Sequence, residues 1–515
     1  MSFEAAPARP APLIAPQLHG PALALAGLIL AIANFLVVLD TTIANVSVAN
    51  IAGALAVSPS QGTWVITSYS VAEAITVPLT GWLAGRFGSV KVFVLSMLGF
   101  GVFSFLCGTA TSLPILVMFR VLQGLCGGPL IPLSQTLLLR VFPPKLAPAA
   151  TGIWAMTTLI APILGPIMGG FLCDNVGWSF IFWINVPIAL VCGWAGWTLL
   201  AKFDTTTARQ RVDVVGLGLL IVWVGSLQVL LDLGKDADWF SSPLIVTLAI
   251  IAAIGFVCFL IWELTDNHPV VDLRVFRHRG YSAAVLTLCV GFGSFFAANV
   301  LLPLWLQQYM GYTASWSGYV SALLGITAVI CAPFVANMAG KVDARLLVSL
   351  GLFWMAVITF FRGQADTDLS YFGIGHWLLL QGFGMPLFFV PLTTLALASV
   401  QPAETASAAG LMSFCRTLSG AFATSIVQTV WEDGSTHFRA DLVGKLPSDA
   451  VSGLGGGSLD AGAALGTLDR LVQGQSVMLS TNAVFLGIAL LFALSATIVW
   501  LVPKPMRKVD AGMAH

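Results

Sequence analysis

The chain has 515 residues, of which 57% are hydrophobic and only 9% are charged. A water-soluble globular protein carries about 25% charged residues, so the composition excludes that class and predicts an integral membrane protein. The 23 basic and 23 acidic residues balance, and a chain without net charge offers no electrostatic reason to bind nucleic acid.

Apolar segments of the length needed to cross a bilayer as a helix, roughly 20 residues, recur along the chain. They predict an all-α integral membrane protein with fourteen transmembrane helices, which begin near residues 22, 64, 92, 114, 149, 179, 213, 242, 281, 317, 346, 372, 407 and 480. Residues 1–21 contain five prolines and little apolar mass, so we expect a disordered cytoplasmic tail before the first span. Residues 503–515 form the second predicted cytoplasmic tail.

Three short motifs in the first half of the chain return eight spans later. The pairs are 83–86 with 338–341, 123–124 with 381–382, and 150–153 with 408–411, the last two separated by 258 positions. Two duplicated six-helix bundles, a common transporter plan, would produce this repeat if two extra helices lay between them. The predicted order is an N-terminal bundle over 22–200, a cytoplasmic loop over 201–212, an inserted helix pair over 213–265, a cytoplasmic linker over 266–280 and a C-terminal bundle over 281–502.

The distribution of Lys and Arg predicts the orientation. With the amino terminus in the cytoplasm, sixteen of the 23 basic residues fall in cytoplasmic segments and five, among them Arg362, fall outside. The positive-inside rule therefore places both termini in the cytoplasm. Residues 430–479 form the long external loop, which we expect to be partly flexible and partly a surface helix. Asp232 and Glu263 lie at span ends, where we expect solvent to reach them.

Ionisable residues inside the predicted spans are the first functional candidates, because a charge inside a bilayer is costly. Asp40 lies about two thirds of the way along the first span, and Arg120 in the fourth span reaches a similar depth. Gln123 lies one helical turn further in. A carboxylate that can release its cationic partner and bind a proton instead is suited to proton coupling. The alternative is a static ion pair that only fixes packing.

Two other buried charges stand apart from this pair. Glu73, near the middle of the second span, is either a second proton site, an anchor for cationic substrates, or a protonated packing residue. Arg416 in the thirteenth span breaks the repeat, since Thr158 occupies the matching position. It either holds an acidic substrate or pairs with Glu73 across a cavity.

The fifth span carries helix breakers inside an apolar segment. Residues 161–170 read APILGPIMGG, in which Pro162 and Pro166 remove backbone donors. Ala161, Gly165 and Gly169 recur every four residues and form one flat face along which another helix can approach, and Gly170 completes the motif. Either this helix is kinked for packing alone, or it is bent so that it can rock during transport.

Aromatic residues at the expected depth of a central cavity form the last group. Apolar, polarizable walls accept hydrophobic molecules of varied shape. The candidates for the substrate pathway are Phe35, Tyr69, Trp154, Phe292, Phe295, Phe296, Trp305 and Phe414, together with Gln123 and Arg416. The alternative for each aromatic residue is ordinary packing or contact with lipid.

The sequence offers no constellation for an enzyme. The eight cysteines show no CxxC or other ligand spacing, and the six histidines are dispersed. Neither HExxH nor GxSxG occurs, so no zinc site and no nucleophile with its base can be placed. We expect a secondary transporter that uses no cofactor and no metal.

Several motifs resemble those of the major facilitator superfamily, and in particular its fourteen-span drug/proton antiporters of the EmrB/QacA subfamily. They are LDTTIANV at 39–46, GWLAGRFGSVK at 81–91, RVLQG at 120–124, GPIMGG at 165–170, FWINVP at 182–187 and RTL at 416–418. The resemblance covers nearly the whole chain. It implies the major facilitator fold, a proton-coupling role for Asp40 and Arg120, and gating roles for Gly81, Arg86 and Lys91.

The same resemblance implies a proton-driven antiporter of the bacterial inner membrane. Such a protein exports hydrophobic or amphipathic toxic compounds with a periplasmic EmrA-like adaptor and an outer-membrane channel. One departure is Gly85, which stands where the wider superfamily has Asp at the cytoplasmic gate. A dedicated exporter of one metabolite, such as a siderophore or a fatty acid, would share these motifs. A membrane sensor or scaffold that has kept the fold without transport is the third hypothesis.

Overall fold

A computed structural model describes residues 18, 20–143, 146–205, 213–235, 237–266, 269–312, 314–339, 341–364, 366, 371–401, 404–447 and 461–503. The predicted tails at 1–21 and 503–515 lie almost entirely outside these ranges.

The first helices are α1 (Pro21–Ala54), α2 (Pro59–Gly62), α3 (Trp64–Thr76), α4 (Thr80–Phe87), α5 (Ser89–Gly108), α6 (Leu113–Gly127), α7 (Leu130–Val141), α8 (Ala147–Asn175), α9 (Phe180–Trp183) and α10 (Asn185–Leu200). They are followed by α11 (Val214–Leu233) and α12 (Pro243–Thr265). The remaining helices are α13 (Arg279–Gln308), α14 (Ala314–Ala339), α15 (Ala344–Arg362), α16 (Tyr371–Ala398), α17 (Thr405–Gly444) and α18 (Ala461–Ile498).

All regular secondary structure in the described ranges is helical, as the composition predicts. Inside a bilayer the backbone N–H and C=O groups find no water, and a helix pairs them within one segment. Eleven helical segments among the described residues are long and apolar enough to cross a membrane. Helices also form where the other three spans are predicted, near residues 64, 149 and 407, but the count of fourteen spans stays a prediction.

Three of the predicted spans are divided into two helices, and in the sixth α9 and α10 are separated at Ile184. The second span consists of α3 and α4, which are separated at Pro78, and the fourth consists of α6 and α7, which are separated at Pro129. A proline nitrogen has no hydrogen to donate to the preceding turn, so a helix is easily interrupted there. By contrast, α8 runs unbroken through Pro162 and Pro166, whose side chains lie outside the described part of the structure.

Helix contacts divide the chain into two bundles. In the first bundle, α1 packs along α8, α3 along α6, and α5 along α10. In the second bundle, α14 and α15 pack along α16, while α13 and α18 pack along α17. A continuous cluster of buried apolar residues runs through both bundles. The predicted boundaries between these units remain predictions.

The helix ends define two faces of the molecule. Near the start of α1, Gly27 lies against Phe142 at the end of α7. Near the end of α18, Pro503 lies against Gly280 at the start of α13. We call the side on which α1 begins and α18 ends the terminal face, and the other side the opposite face.

The two bundles meet closely at the terminal face. A Cβ atom on Gly81 would collide with Ser407 at the start of α17, and one on Gly410 would come within 3.1 Å of the Val77 carbonyl oxygen. Glycine has no Cβ and therefore permits this approach of the backbones. Helix α7 of the first bundle also packs against α17. At the terminal face the bundles are thus in direct contact through α4 and α7 against α17.

Helix α11 contacts both bundles, and α12 packs on α11. The Ser425 hydroxyl of α17 donates a hydrogen bond to the Leu231 carbonyl oxygen over 2.8 Å. Just beyond α11, Trp239 Nε1 donates to Thr429 Oγ1 over 2.9 Å. On the other flank, α11 packs along α3 of the first bundle. The inserted pair therefore covers one seam between the two bundles.

The predicted external loop over 430–479 is largely helical in the described residues. Helix α17 continues to Gly444 and α18 begins at Ala461. At 1.5 Å per residue, the 40 residues of α17 span about 60 Å, or about twice the apolar thickness of a bilayer. Arg439 Nη2 lies 2.5 Å from Asp469 Oδ1 and joins the two extensions. We call residues 432–444 and 461–476 the helical hairpin.

Three charged residues near the ends of predicted spans lie against packed helices or turns, and for Glu263 the prediction that solvent reaches it was wrong. Arg362 is only 6% exposed because α16 and α18 pack over the end of α15. Glu263 is 1% exposed, and the Val271 N–H donates to it over 3.3 Å where the following turn folds back. Asp232 is half-buried and accepts from Gln228 over 3.1 Å.

Candidate functional site

Asp40 of α1 and Arg120 of α6 form a fully buried ion pair. Nη1 of Arg120 lies 2.5 Å from Oδ2 of Asp40, and both side chains are 0% exposed. The sequence places both residues at a similar depth, and the structure brings them into direct contact. Two buried charges at this distance neutralise one another only while both remain ionised.

Neutral polar groups surround the second carboxylate oxygen. Oδ1 of Asp40 accepts hydrogen bonds from Asn185 Nδ2 over 2.7 Å and from Gln123 Nε2 over 3.0 Å. The Ser104 hydroxyl oxygen accepts from the same two amides, over 3.1 Å and 3.2 Å, and donates to the Phe182 carbonyl oxygen. The carboxylate therefore sits in a polar ring contributed by α5, α6 and α10. Such charge-assisted hydrogen bonds are among the stronger ones in proteins.

The guanidinium of Arg120 is held from several directions. Its Nε donates to the Val65 carbonyl oxygen over 3.0 Å, and Nη1 also donates to Gln123 Oε1 over 2.9 Å. Its Cζ lies 4.2 Å from the centre of the Tyr69 ring and 5.5 Å from that of Phe182, which are cation–π distances. Nη2 is buried without a hydrogen-bond partner. The Nη2 donor of Arg120 is thus left without an acceptor.

Glu73 and Arg416 lie on helices of opposite bundles, α3 and α17, which contact each other. Glu73 on α3 is 6% exposed and lies one helical turn beyond Val77, while Arg416 on α17 is 7% exposed and lies six residues beyond Gly410. Both are therefore displaced from the terminal face towards the opposite face. The two side chains are near enough to interact electrostatically, and the Arg416 guanidinium lies 5.7 Å from the ring centre of Phe292.

The glycine and proline motif of α8 packs against the helix that carries Asp40. A Cβ atom on Gly165 would collide with Thr42 of α1, whose hydroxyl also donates to the Ala161 carbonyl oxygen over 3.3 Å. One and a half turns before Asp40, Asn34 Nδ2 donates to Thr158 Oγ1 over 2.7 Å. Helix α8, which carries the motif, thus contacts α1 on both sides of Asp40.

The other two glycines of this motif differ in their surroundings. Gly169 is buried, whereas a Cβ atom on Gly170 would meet nothing within 4 Å. Close approach to α1 therefore requires Gly165, and Gly170 does not take part in that contact.

Of the predicted gating residues, Gly81 lies at the contact between the bundles. Lys91 Nζ lies 3.9 Å from Asp204 Oδ2, within the first bundle. Arg86 stacks over Trp82, with 5.5 Å from Cζ to the ring centre. The structure therefore places Gly81 at the bundle contact and Lys91 in an ion pair with the segment that follows α10.

Four of the predicted substrate-pathway aromatics lie near Arg416 or beside the inserted pair. Phe292 stacks on Phe296 with 5.6 Å between ring centres, and Phe295 lies 6.3 Å from Phe292. Phe414 meets the Trp223 ring of α11 edge to face at 5.9 Å. These rings, with the Arg416 guanidinium, form a wall that is both aromatic and basic.

The remaining candidates are dispersed. Tyr69 lies under Arg120, and Trp154 is buried with its Nε1 donating to Ser134 Oγ over 2.8 Å. Phe35 is half-buried on α1. Trp305 lines a separate cavity inside the second bundle. The structure therefore does not unite these residues in one pocket.

The sequence interpretation missed Asn185 and Ser104 as members of the site. Both are polar residues inside predicted spans, at 0% exposure, and Asn185 belongs to the FWINVP motif. A search for every uncharged polar residue within the spans would have found them. It would not have shown that they share Asp40, because they lie 64 and 145 positions away from it.

Comparison with known proteins identifies the family. The Major Facilitator Superfamily model matches residues 30–424. The chain is 42% identical to the multidrug export protein EmrB of Escherichia coli over 503 residues, which cover 96% of this chain and 98% of that protein. It is 40% identical to the fatty acid resistance protein FarB of Neisseria gonorrhoeae, over 96% of this chain and 99% of that one.

Solved structures agree on the fold. The human organic anion transporter MFSD10 matches with a TM-score of 0.56 and 15% identity, over 93% of this chain and all of that chain. The proton:xylose symporter XylE matches with a TM-score of 0.56 and 14% identity, over 94% of this chain and 96% of that chain. The chain is therefore a multi-pass membrane transporter, not an enzyme, and it belongs to the major facilitator superfamily as an EmrB-like member.

Proposed function

We propose that this transporter exports hydrophobic or amphipathic toxic compounds across the bacterial inner membrane in exchange for protons. The observation that carries the proposal is the buried Asp40–Arg120 pair, whose two charges are at 0% exposure within a polar ring. The names of its relatives, a multidrug export protein and a fatty acid resistance protein, support the substrate class. The proton-motive force is the energy source, and no cofactor takes part.

Protonation of Asp40 supplies the coupling step. A proton on this carboxyl group removes the negative charge that balances Arg120, and a buried charge left without its partner destabilises its surroundings by about 3–5 kcal/mol. The protonated protein therefore favours a conformation in which Arg120 reaches other partners or water. Because α8 packs on α1 through Gly165 and Thr42, a shift of α1 moves the motif helix with it.

Substrate binds in the passage between the bundles, at the wall formed by Glu73, Arg416 and the phenylalanines around Arg416. The aromatic rings contact hydrophobic bodies of varied shape, and the two opposite charges attract polar ends of either sign. Closure of the terminal face by Gly81 and Gly410 prevents return to the compartment on that side. With both termini in the cytoplasm, that compartment is the cell interior.

The pump also works with a periplasmic EmrA-like adaptor and an outer-membrane channel. The helical hairpin supports this proposal, because it extends α17 and α18 beyond the length that a bilayer requires. Arg439 and Asp469 join its two helices, which gives the adaptor a defined surface.

Proton exchange is tested in everted membrane vesicles that hold an acid interior and a pH-sensitive dye. Addition of a substrate is expected to release protons from wild-type vesicles and to leave Asp40→Asn vesicles unchanged, since asparagine keeps the shape and cannot titrate. Asp441→Asn, on the helical hairpin, is the matched control and should behave as wild type. Full proton release by Asp40→Asn at equal protein level would refute the coupling role.

The substrate class is tested in a host stripped of its own efflux pumps, with dyes, uncouplers, quinolones, detergents and fatty acids. Protection against several unrelated compounds, lost in Asp40→Asn, establishes a multidrug pump. Protection confined to fatty acids identifies a dedicated exporter, which the relationship to FarB would explain. Expression with and without an EmrA-like adaptor, in wild type and in Arg439→Glu, tests the docking role of the hairpin.

A further inference from the structure

A second arginine site lies inside the second bundle, remote in sequence from the Asp40–Arg120 pair. A cavity of about 230 Å³ is enclosed by the ends of α13, α15, α16 and α18 near the opposite face. Arg362 lines it together with Trp305, Trp377, Ile374 and Phe485. One water molecule takes about 30 Å³ of liquid volume, so the cavity is large enough for a small organic group.

Arg362 is buried without a counter-charge. It is 6% exposed, and Nη1 donates to Gln381 Oε1 over 2.5 Å. Nη2 has no hydrogen-bond partner, and neither has the amide nitrogen Nε2 of Gln381. The Phe485 ring lies 4.4 Å from the guanidinium carbon. Among the described residues, no carboxylate lies within 4.0 Å of this arginine.

The internal repeat shows why this charge lacks a partner. Positions 258 residues apart match Gln123 with Gln381 and Ser104 with Arg362. Each glutamine is hydrogen-bonded to the matching residue, Ser104 in one bundle and Arg362 in the other. The same spacing matches Asp40 with Ala298, which is 1% exposed. The second bundle has therefore kept the polar contact and placed an arginine in it, while alanine stands in place of the carboxylate.

A buried arginine that lacks an anion is costly, because each unsatisfied donor and the charge itself have lost their hydration. We propose that the anionic group of a carboxylate-bearing amphiphile occupies this cavity and pairs with Arg362. The planar guanidinium binds a carboxylate through parallel N–H donors, and the aromatic and aliphatic walls receive the apolar part of the molecule. A cationic amphiphile is repelled by the guanidinium, and a neutral one can accept only an uncharged hydrogen bond from Nη2, which is the weaker kind.

Asp366 is the carboxylate among the described lining residues, and it does not neutralise the site. Its side chain is exposed, whereas Arg362 is only 6% exposed. A ligand that enters past Asp366 reaches the guanidinium with its anionic group leading. The buried part of the cavity lining therefore carries the basic group and the exposed part carries the acidic group. This arrangement orients an amphiphilic anion.

Binding of decanoate to the full-length protein in nanodiscs of phosphatidylcholine tests the proposal. Decanoate is expected to bind wild type, and Arg362→Gln to weaken its binding by about 10- to 100-fold, the range for loss of a charge-assisted hydrogen bond. Arg439→Gln, which alters an exposed arginine of the helical hairpin, is the matched control and should bind as wild type. Decanol binding should depend on Arg362 less than decanoate binding does. Crosslinking by a diazirine-labelled decanoate should mark peptides around Trp305 and Trp377 in wild type only.

The outcomes separate the sources of the anion. Binding that persists when phosphatidylglycerol is added to the nanodiscs identifies a free carboxylate as the ligand. Binding that is displaced by phosphatidylglycerol shows that a lipid headgroup fills the same anion site. Equal binding of decanoate by wild type and Arg362→Gln, or equal binding of decanol and decanoate, overturns the proposal. A melting temperature of Arg362→Gln at or above that of wild type shows that the variant is folded.

This inference goes beyond the proposed export and does not require it. Binding is measured at equilibrium without a proton gradient, so its outcome does not depend on export. A protein that binds through Arg362 but exports nothing would refute only the proposed function. A protein that exports through Asp40 but shows no Arg362-dependent binding would refute only the present inference.

Discussion

Each bundle holds a buried arginine against a glutamine and a phenylalanine, and the two sites differ in their anion. In the first bundle, Arg120 contacts Gln123, lies over Phe182 and is neutralised by Asp40. In the second, Arg362 contacts Gln381 and lies over Phe485. No described carboxylate takes the part of Asp40 there.

This difference teaches how a duplicated fold divides its tasks. A carboxylate built into the chain can exchange its cation for a proton, which suits coupling to a gradient. An arginine without such a carboxylate must obtain its anion from outside the chain, which suits recognition. In our two proposals, the presence or absence of one carboxyl group thus distinguishes the proton site from the anion site.

The largest expected effect is on the stability of the two sites. Asp40→Ala leaves Arg120 buried and unpaired and should lower the free energy of unfolding by about 3–5 kcal/mol. Arg362→Met removes a charge that has no partner and should leave that free energy unchanged or raise it by up to about 3 kcal/mol. Unfolding in mixed detergent micelles measures both. Equal destabilisation by the two variants would show that Arg362 has an internal counter-ion.

Substitutions of the two glutamines should follow the same order, with a larger loss of stability in the first bundle than in the second. Gln123→Leu deprives Asp40, Arg120 and Ser104 of a shared partner and should cost about 3 kcal/mol. Gln381→Leu removes one acceptor from Arg362 and should cost about 1 kcal/mol. The same unfolding measurement compares them. A larger loss for Gln381→Leu would contradict the view that the first site is the more connected network.

A carboxylate introduced into the second site should neutralise Arg362 as Asp40 neutralises Arg120. Ala298→Asp places a carboxyl group at the position that matches Asp40, on α13, whose residues Leu302 and Trp305 line the cavity with Arg362. We expect decanoate affinity to fall by about tenfold, since about 1.4 kcal/mol of competition from an internal anion has that effect. Ala298→Asn is the control of the same size, and it should bind decanoate more tightly than Ala298→Asp.

The smallest effect concerns an ion pair outside the membrane-spanning segments. Glu404 at the terminal face accepts from Arg277 over 2.6 Å and contacts His278 over 2.9 Å. Burial raises the pKa of Glu404, but the Gln401 N–H, His278 and Arg277 outweigh it, so the net pKa lies below the ordinary glutamate value.

Because the folded-state pKa of Glu404 is lowered, its contribution to stability is complete above the ordinary value of about 4.3 and is lost as the pH falls through the lower folded value. Glu404→Gln should therefore lower stability at pH 7 by at most about 1 kcal/mol, since Arg277 is largely exposed. Melting temperatures at pH 7 and pH 3.5 test this. A larger loss at the acid pH than at pH 7 would contradict the sign.

Local features of the sequence predict much of this protein. The apolar segments identify the spans, because a bilayer admits backbone only when its polar groups are paired within the segment. Asp40 and Arg120 are recognisable as site residues, because charges inside apolar segments require a reason. The repeat at a spacing of 258 residues identifies the two bundles, since duplicated helices keep their motifs.

Arg362 shows where local reasoning fails. It ends an apolar segment and reads as a residue of an external loop, yet α16 and α18 cover it. Likewise, the polar ring from Asn185 and Ser104 assembles around Asp40 from three helices distant in sequence. The sequence determined that this chain is a duplicated helical membrane protein with a charge pair, because length, hydropathy and motifs act within single segments. Only the tertiary structure decided which arginine is neutralised and which is left without an anion, because that depends on which helices pack together.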